Sequence, residues 1–117
     1  MPKCEVEYYE SSRGRRPVED YLNALNSTER LFVNNKIDKL EEQGRGILAW
    51  GHDHADYLRD DIYELKADYR RKRHRVFFFF HGNRAILTNA TVKKHGAVAD
   101  SYIEKAIECR SEYFRSH

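Results

Sequence analysis

Nine basic side chains and a single acid, Asp68, lie between residues 66 and 95 of this 117-residue chain. At their centre is YRRKRHRVFFFF, residues 69–80, which sets Arg70, Arg71, Lys72, Arg73 and Arg75 directly before four phenylalanines. Lys66 precedes the run, and Lys93, Lys94 and His95 follow it. Cations gathered without carboxylates among them repel one another, so such a set is expected to be completed by a bound anion. Phosphate suits it best. Arginine offers a planar fork to two phosphate oxygens, and a lysine crowded by like charge gives up its proton more easily and can act as a base. His95 could supply an acid beside the lysines, its ordinary pKa being the nearest to neutrality; an ordinary surface histidine after a strand fits that position as well.

Other candidate chemistry is thinner. His52-Asp53-His54 with Asp56 is the one cluster of metal-ligand types, and in an extended loop His52 and His54 would share a side. No third ligand is identifiable, so no metal and no other cofactor is assigned. Cys4 and Cys109 show no zinc spacing, and two reduced thiols in a cytoplasmic chain are the simplest reading, with a bridge from first strand to last helix as the alternative. Cys109 is expected to fill core space, since no histidine is placed near it. Tyr8 and Tyr9 could stack on bases, but a strand bordering helices more often buries them.

The elements that must position these residues follow from periodicity. Residues 4–9 alternate weakly as a first strand. Pro17 opens a helix with Glu19 and Asp20 in its first turn, and Asn26 with Glu29 resembles a capping box for a second helix that ends at Gly44. Residues 44–58 hold three glycines and no clear period, predicting a long loop pinned by Ile47, Leu48 and Trp50. From Ile62 the period becomes two: Tyr63, Leu65 and Ala67 face one way, and Ile62, Glu64 and Lys66 the other. A turn at 69–72, a strand 73–80, a hairpin at His81-Gly82-Asn83-Arg84 and a strand 85–92 complete an antiparallel meander. A helix over 99–114 closes the chain. The expectation is one α+β domain over residues 1–117, in the order βααβββα, with the meander packed on the helical hairpin.

On the strand 73–80, Arg73, Arg75, Phe77 and Phe79 share a face, and His74, Val76, Phe78 and Phe80 share the other. Apolar on both faces after Arg75, this strand belongs in the middle of the sheet. Arg73 and Arg75 are expected at an exposed sheet end or in a groove, because a region of local charge +8 contains no partners to bury them. Lys66, Lys93 and Lys94 can converge on the same groove. A solvated basic hairpin tip accounts for Arg70 to Arg73 equally well.

The segments IYELK (62–66), HRVFFFFHGNRAIL (74–87), VKK (92–94) and YIEKAIECRSEYF (102–114) resemble the RelE/HigB superfamily of type II toxins, especially its phage-derived HigB-like branch. The resemblance covers residues 62–114 and implies a RelE-like fold. It also implies a ribosome-dependent mRNA endonuclease that needs no metal, inhibits translation, and is held inactive by a helix-turn-helix antitoxin protein. By position, Lys66 would hold phosphate or act as base and Arg75 would stabilise charge growing on phosphate oxygens. Lys93 and Lys94 would grip backbone or 16S rRNA, and Arg70, Arg71, Lys72 and Arg73 would find RNA by charge. Thr91 stands where the family has an aromatic, and residues 95–99 depart from the family's usual stretch. The competing class is a non-cleaving module that binds RNA, the ribosome or an antitoxin with the same cations. The start MPKCEVEYYE carries acids and no apolar run, so no secretory signal or membrane association is expected, and the cytoplasm is the expected compartment.

Overall fold

In the computed structural model, residues 2–93 and 96–117 are described, and they form an α+β structure of five strands and three α-helices. β1 (Glu5–Tyr8) leads to α1 (Pro17–Asn23) and α2 (Ser27–Gln43). A 3₁₀ segment (Gly44–Trp50) then enters the meander of β2 (Ala55–Arg59), β3 (Ile62–Tyr69), β4 (Lys72–His81) and β5 (Arg84–Lys93), and α3 (Asp100–Ser116) follows. The sheet order is β1-β5-β4-β3-β2, with β1 parallel to β5 and every other pairing antiparallel.

Local chemistry accounts for the element ends. Pro17 occupies the first turn of α1, where a missing N–H costs nothing. Asn26 caps α2: its Oδ1 accepts from the Glu29 N–H at 2.9 Å while its Nδ2 donates to Glu29 Oε1 at 2.9 Å. Such a cap contributes about 1 kcal/mol. Gly44 ends α2 at φ 58°, a backbone conformation that a side chain would strain. Between β2 and β3, Asp60 and Asp61 both take positive φ, 53° and 61°, which gives a two-residue turn whose twist matches the strands it joins.

The structure corrects the loop expected over 44–58. Its first half is helical, and its second half adds the edge strand β2, paired with β3 from Ala55↔Leu65 to Arg59↔Ile62. Ile47 is buried and Leu48 packs on the core, but Trp50 is 42% exposed and joins neither core cluster.

β4 is buried on both faces, as the phenylalanine run predicts. Val76 and Phe78 pack beneath α1 and α2, and Phe77 and Phe79 pack against Ile103, Ala106 and Tyr113 of α3. Each buried phenylalanine contributes about 1.5–3 kcal/mol relative to exposure, so the strand is a rigid floor. Cys4 lies in the first cluster and Cys109 in the second, on opposite faces, which removes the bridge considered as an alternative.

One irregularity decides which side chains reach the site. In the β4–β5 ladder Phe78 pairs with Leu87 but Phe77 pairs with Asn89, so Thr88 is an extra residue on β5. Its hydroxyl donates to the Phe77 carbonyl at 3.1 Å. A one-residue insertion flips the parity of everything beyond it. Asn89, Thr91 and Lys93 therefore face α3, opposite Phe77, Arg75 and Arg73, where a regular strand would have placed Ala90 and Val92.

Candidate functional site

Beyond the N-terminal end of α3, the α3 face of the sheet turns from aromatic to charged. Its cross-strand rows are Asp68–Arg73–Lys93, Lys66–Arg75–Thr91 and Asp56–Glu64–Phe77–Asn89. With residues Gly96 to Val98 folded over them, Asp56, Glu64, Lys66, Arg73 and Arg75 line a cleft of about 360 Å³.

The convergence of Lys66, Arg73 and Arg75 was expected, but their partners were not. Arg75 is only 5% exposed; its Nη1 donates to Glu64 Oε1 at 2.5 Å and its Nη2 to the Gly96 carbonyl at 3.1 Å. Lys66 is buried too, donating to Asp56 Oδ2 at 2.5 Å and to the His52 carbonyl at 2.6 Å, with Glu64 Oε1 at 3.5 Å. Arg73 forks onto Asp68 at 2.7 and 2.9 Å and reaches Asp53 at 3.1 Å. This corrects the expectation of a cation cluster without carboxylates. Apart from Asp68, the acids come from outside the basic run: Glu64 sits two residues before Lys66 on the same face, and Asp56 comes from β2.

Asp56 shows the balance of the network. Burial alone would raise its pKa, but hydrogen bonds from Lys66 and His52 outweigh burial and hold it below the ordinary 3.8. Asp68 is likewise lowered, chiefly by its bonds from Arg73. Two buried atoms at the centre, Glu64 Oε2 and Arg75 Nε, have no hydrogen-bond partner among the described residues. A buried acceptor and a buried donor, each without a partner on one ion pair at the cleft floor, are what an oxyanion bearing a hydroxyl would satisfy on entering.

The remaining expected residues are more dispersed. Lys93 is exposed at the rim, its Nζ donating to the Ala97 carbonyl at 3.3 Å. Lys94 and His95 lie outside the described residues. Arg70, Arg71 and Lys72 are exposed at the β3–β4 turn, where Lys72 Nζ approaches Glu29 Oε1 at 3.4 Å. Arg73 does not belong with them, being held in its ion pairs. His52 and His54 do not act together: His52 bonds Asp56, and His54 Nδ1 lies 2.7 Å from Lys36 Nζ. Among the described residues no three His, Cys, Asp or Glu side chains are gathered to hold a metal. Tyr9 is buried with its hydroxyl on Glu112 at 2.8 Å, and burial pushes the Cys109 thiol up to about 11, so neither is poised to react.

Sequence reasoning missed a second polar cluster, on the other face of β4. His74, 1% exposed, is bonded through Nδ1 to the Tyr21 hydroxyl at 2.6 Å and through Nε2 to Glu29 Oε2 at 2.8 Å. A proton on Nε2 donated to Glu29, with the Tyr21 hydroxyl donated to Nδ1, satisfies all three groups. Burial, then the Glu29 charge, pushes Tyr21 up to about 12. Burial would raise Glu29, yet the bonds from His74 and Lys72 hold it below its ordinary 4.5. The available signal was His74 itself, a polar residue on the face of Val76 and Phe78.

Among the described residues no helix is long and apolar enough to cross a membrane. The model of the family described as Phage derived protein Gp49-like (DUF891) matches residues 20–111, and the chain belongs to that family. No curated protein matches it.

Proposed function

From membership of the Gp49-like family, we propose that the chain is the toxin of a type II toxin–antitoxin pair of the RelE/HigB kind, an endoribonuclease that cuts messenger RNA on the ribosome. The observation that carries this reading is the cleft floor, where Arg75, Lys66, Glu64 and Asp56 are interlocked on a rigid sheet with one buried acceptor and one buried donor lacking a partner.

Cleavage by an internal nucleophile needs four things at one phosphate: a base for the ribose 2′-hydroxyl, a cation for the phosphorane oxygens, an acid for the leaving 5′-oxygen and a fixed backbone. Glu64 takes the 2′-proton through Oε2, while Oε1 stays on Arg75. The bond from the 2′-oxygen to phosphorus forms as the bond to the 5′-oxygen breaks, leaving a 2′,3′-cyclic phosphate. Arg75, through Nε, meets the negative charge that develops. Lys66 fits a fixed cation better than a base, because it already donates to Asp56 and to a carbonyl. His52 serves as the acid: its ring is 93% exposed and Asp56 holds it at Nδ1. Lys93 and the exposed turn of Arg70 and Arg71 grip backbone, and a helix-turn-helix antitoxin covers the cleft in the inactive pair.

The carboxylates favour a second reading, a non-cleaving module that occupies the ribosome, since a cation already paired binds phosphate less avidly. Primer extension on translated message during pulsed expression separates the two. Cuts within codons are expected; arrested translation on intact message overturns the nuclease reading in favour of the binder.

A further inference from the structure

A second cleft, of about 520 Å³, lies between α2, the 3₁₀ segment and the open edge of β3. It is walled by two exposed aromatics, Trp50 and Phe32, which are 42% and 45% exposed. Between them stands Lys36, half-buried, its Nζ on His54 Nδ1 at 2.7 Å, and the His54 ring meets Trp50 edge-on with centroids 5.3 Å apart. Among the described residues no carboxylate lies within ion-pair distance of Lys36. The two acids that line the cleft, Asp53 and Asp68, are both bonded to Arg73. Burial pulls the Lys36 pKa below its ordinary 10.5, and the charge of Asp68 opposes it without restoring the ordinary value.

Exposed aromatic walls, with a lysine between them that makes no ion pair, match a flat ring joined to a phosphate. The cleft adjoins the candidate active site across Arg73. Arg73 lines the first cleft, and its guanidinium holds the two aspartates that line the second. We propose that this cleft is a nucleotide subsite for single-stranded RNA, with a base stacked on Trp50 and its phosphate on Lys36, seating a residue that flanks the scissile phosphate. The assignment rests on the ribonuclease reading only for the identity of the strand. A stacking subsite on the far side of Arg73 sets the direction in which the strand enters.

Trp50 is the only tryptophan in the chain, so its fluorescence reports on this cleft alone. The full chain is titrated with a 2′-O-methylated pentaribonucleotide, which cannot be cut by 2′-oxygen attack, and in parallel with an abasic strand of equal phosphate number. Quenching by the first strand is expected. Labelled-strand anisotropy should then show Lys36→Met and Trp50→Leu weakening it each about 10-fold, the scale of one lost stacked base or phosphate contact. Equal affinity for the abasic strand, or unchanged affinity in both variants, overturns the subsite. The two readings fail separately. Quenching sensitive to Lys36→Met without message cleavage keeps the subsite and sinks the nuclease, whereas message cleavage indifferent to both variants does the reverse.

Discussion

His74 and Arg75 are neighbours on β4, both buried, and they face opposite ways into two clusters of opposite design. On the helical face His74 joins Tyr21 and Glu29 in a set where each group has its partner and α1 and α2 close the top. On the α3 face Arg75 joins Glu64, Lys66 and Asp56 in a set where every charge is countered, yet Glu64 Oε2 and Arg75 Nε are buried without a partner beneath a cleft. A buried ion pair is weak evidence for stability in itself, because desolvation cancels much of the attraction. What separates a structural cluster from a reactive one is thus completeness. The His74 side is finished without a ligand, and the Arg75 side is not.

The largest effect that tests this contrast falls on the open side. Arg75→Ala alone is a poor probe, since it strands the buried Glu64 carboxylate, a change that commonly costs about 3–5 kcal/mol. The fold would suffer along with any activity. Replacing both charges in Arg75→Gln with Glu64→Gln keeps size and hydrogen bonding and leaves no lone charge. Message cleavage is expected to fall by about 10²–10³-fold, the scale of one lost transition-state donor, while the urea midpoint moves little. A large loss of stability with cleavage per folded molecule retained would make this cluster structural and abolish the contrast.

The closed side should behave in the opposite sense. His74→Ala leaves Glu29 Oε2 and the Tyr21 hydroxyl without their partner beside a new cavity, so a loss of about 2–4 kcal/mol in urea unfolding is expected. Cleavage per folded molecule should be unchanged. The pH dependence sharpens this. Glu29 has a folded pKa below its unfolded 4.5, so its contribution is fully present above 4.5 and drains away as pH falls through the folded value. The stability gap between wild type and His74→Ala should therefore narrow on going from about pH 6 to below about pH 4. A gap that is constant with pH would show that His74 acts through packing alone.

The two sides were not equally legible. The faces of β4 could be assigned from alternation, and the phenylalanines do build the centre of the sheet. The convergence of Lys66, Arg73 and Arg75 followed from the same period. The carboxylates were lost for two physical reasons. A charge window opening at Lys66 excludes Glu64, which the strand period puts on the same face two residues earlier. Asp56 rides on β2, a five-residue edge strand bonded on one side only, with a register shift at Tyr57 and a weak pattern of its own. The usable signal there was the Asp60-Asp61 pair, a turn chemistry flanked by DYL and IYE. The Thr88 bulge left no such signal, and it alone decides that Lys93 joins the Arg73 row. His74 could be placed on its face, but its partners come from α1 and α2, at separations that periodicity does not reach.

The smallest expected effect concerns cations that belong to neither cluster. Arg70 and Arg71 are exposed at the β3–β4 turn, while Arg73, two residues on, spends its guanidinium on Asp68 and Asp53. Sequence gives the three equal standing; geometry does not. Only a cation without a carboxylate partner displaces counterions from a nucleic-acid strand when it docks, so only Arg70 and Arg71 should contribute to the salt dependence of binding. Asparagine is the substitution of choice at residue 70, whose φ of 56° it tolerates. Arg70→Asn with Arg71→Ser should leave stability within about 0.5 kcal/mol, as surface changes usually do. The slope of log affinity for single-stranded RNA against log salt should become shallower by about 0.7 for each phosphate contact removed. Arg73→Ser should leave that slope nearly unchanged and lower stability instead, because it frees Asp68 and Asp53 to repel each other across the rim. If Arg73→Ser flattens the slope as much as the turn variant does, its ion pairs open to admit phosphate, and the rim of the cleft is then part of the grip on RNA.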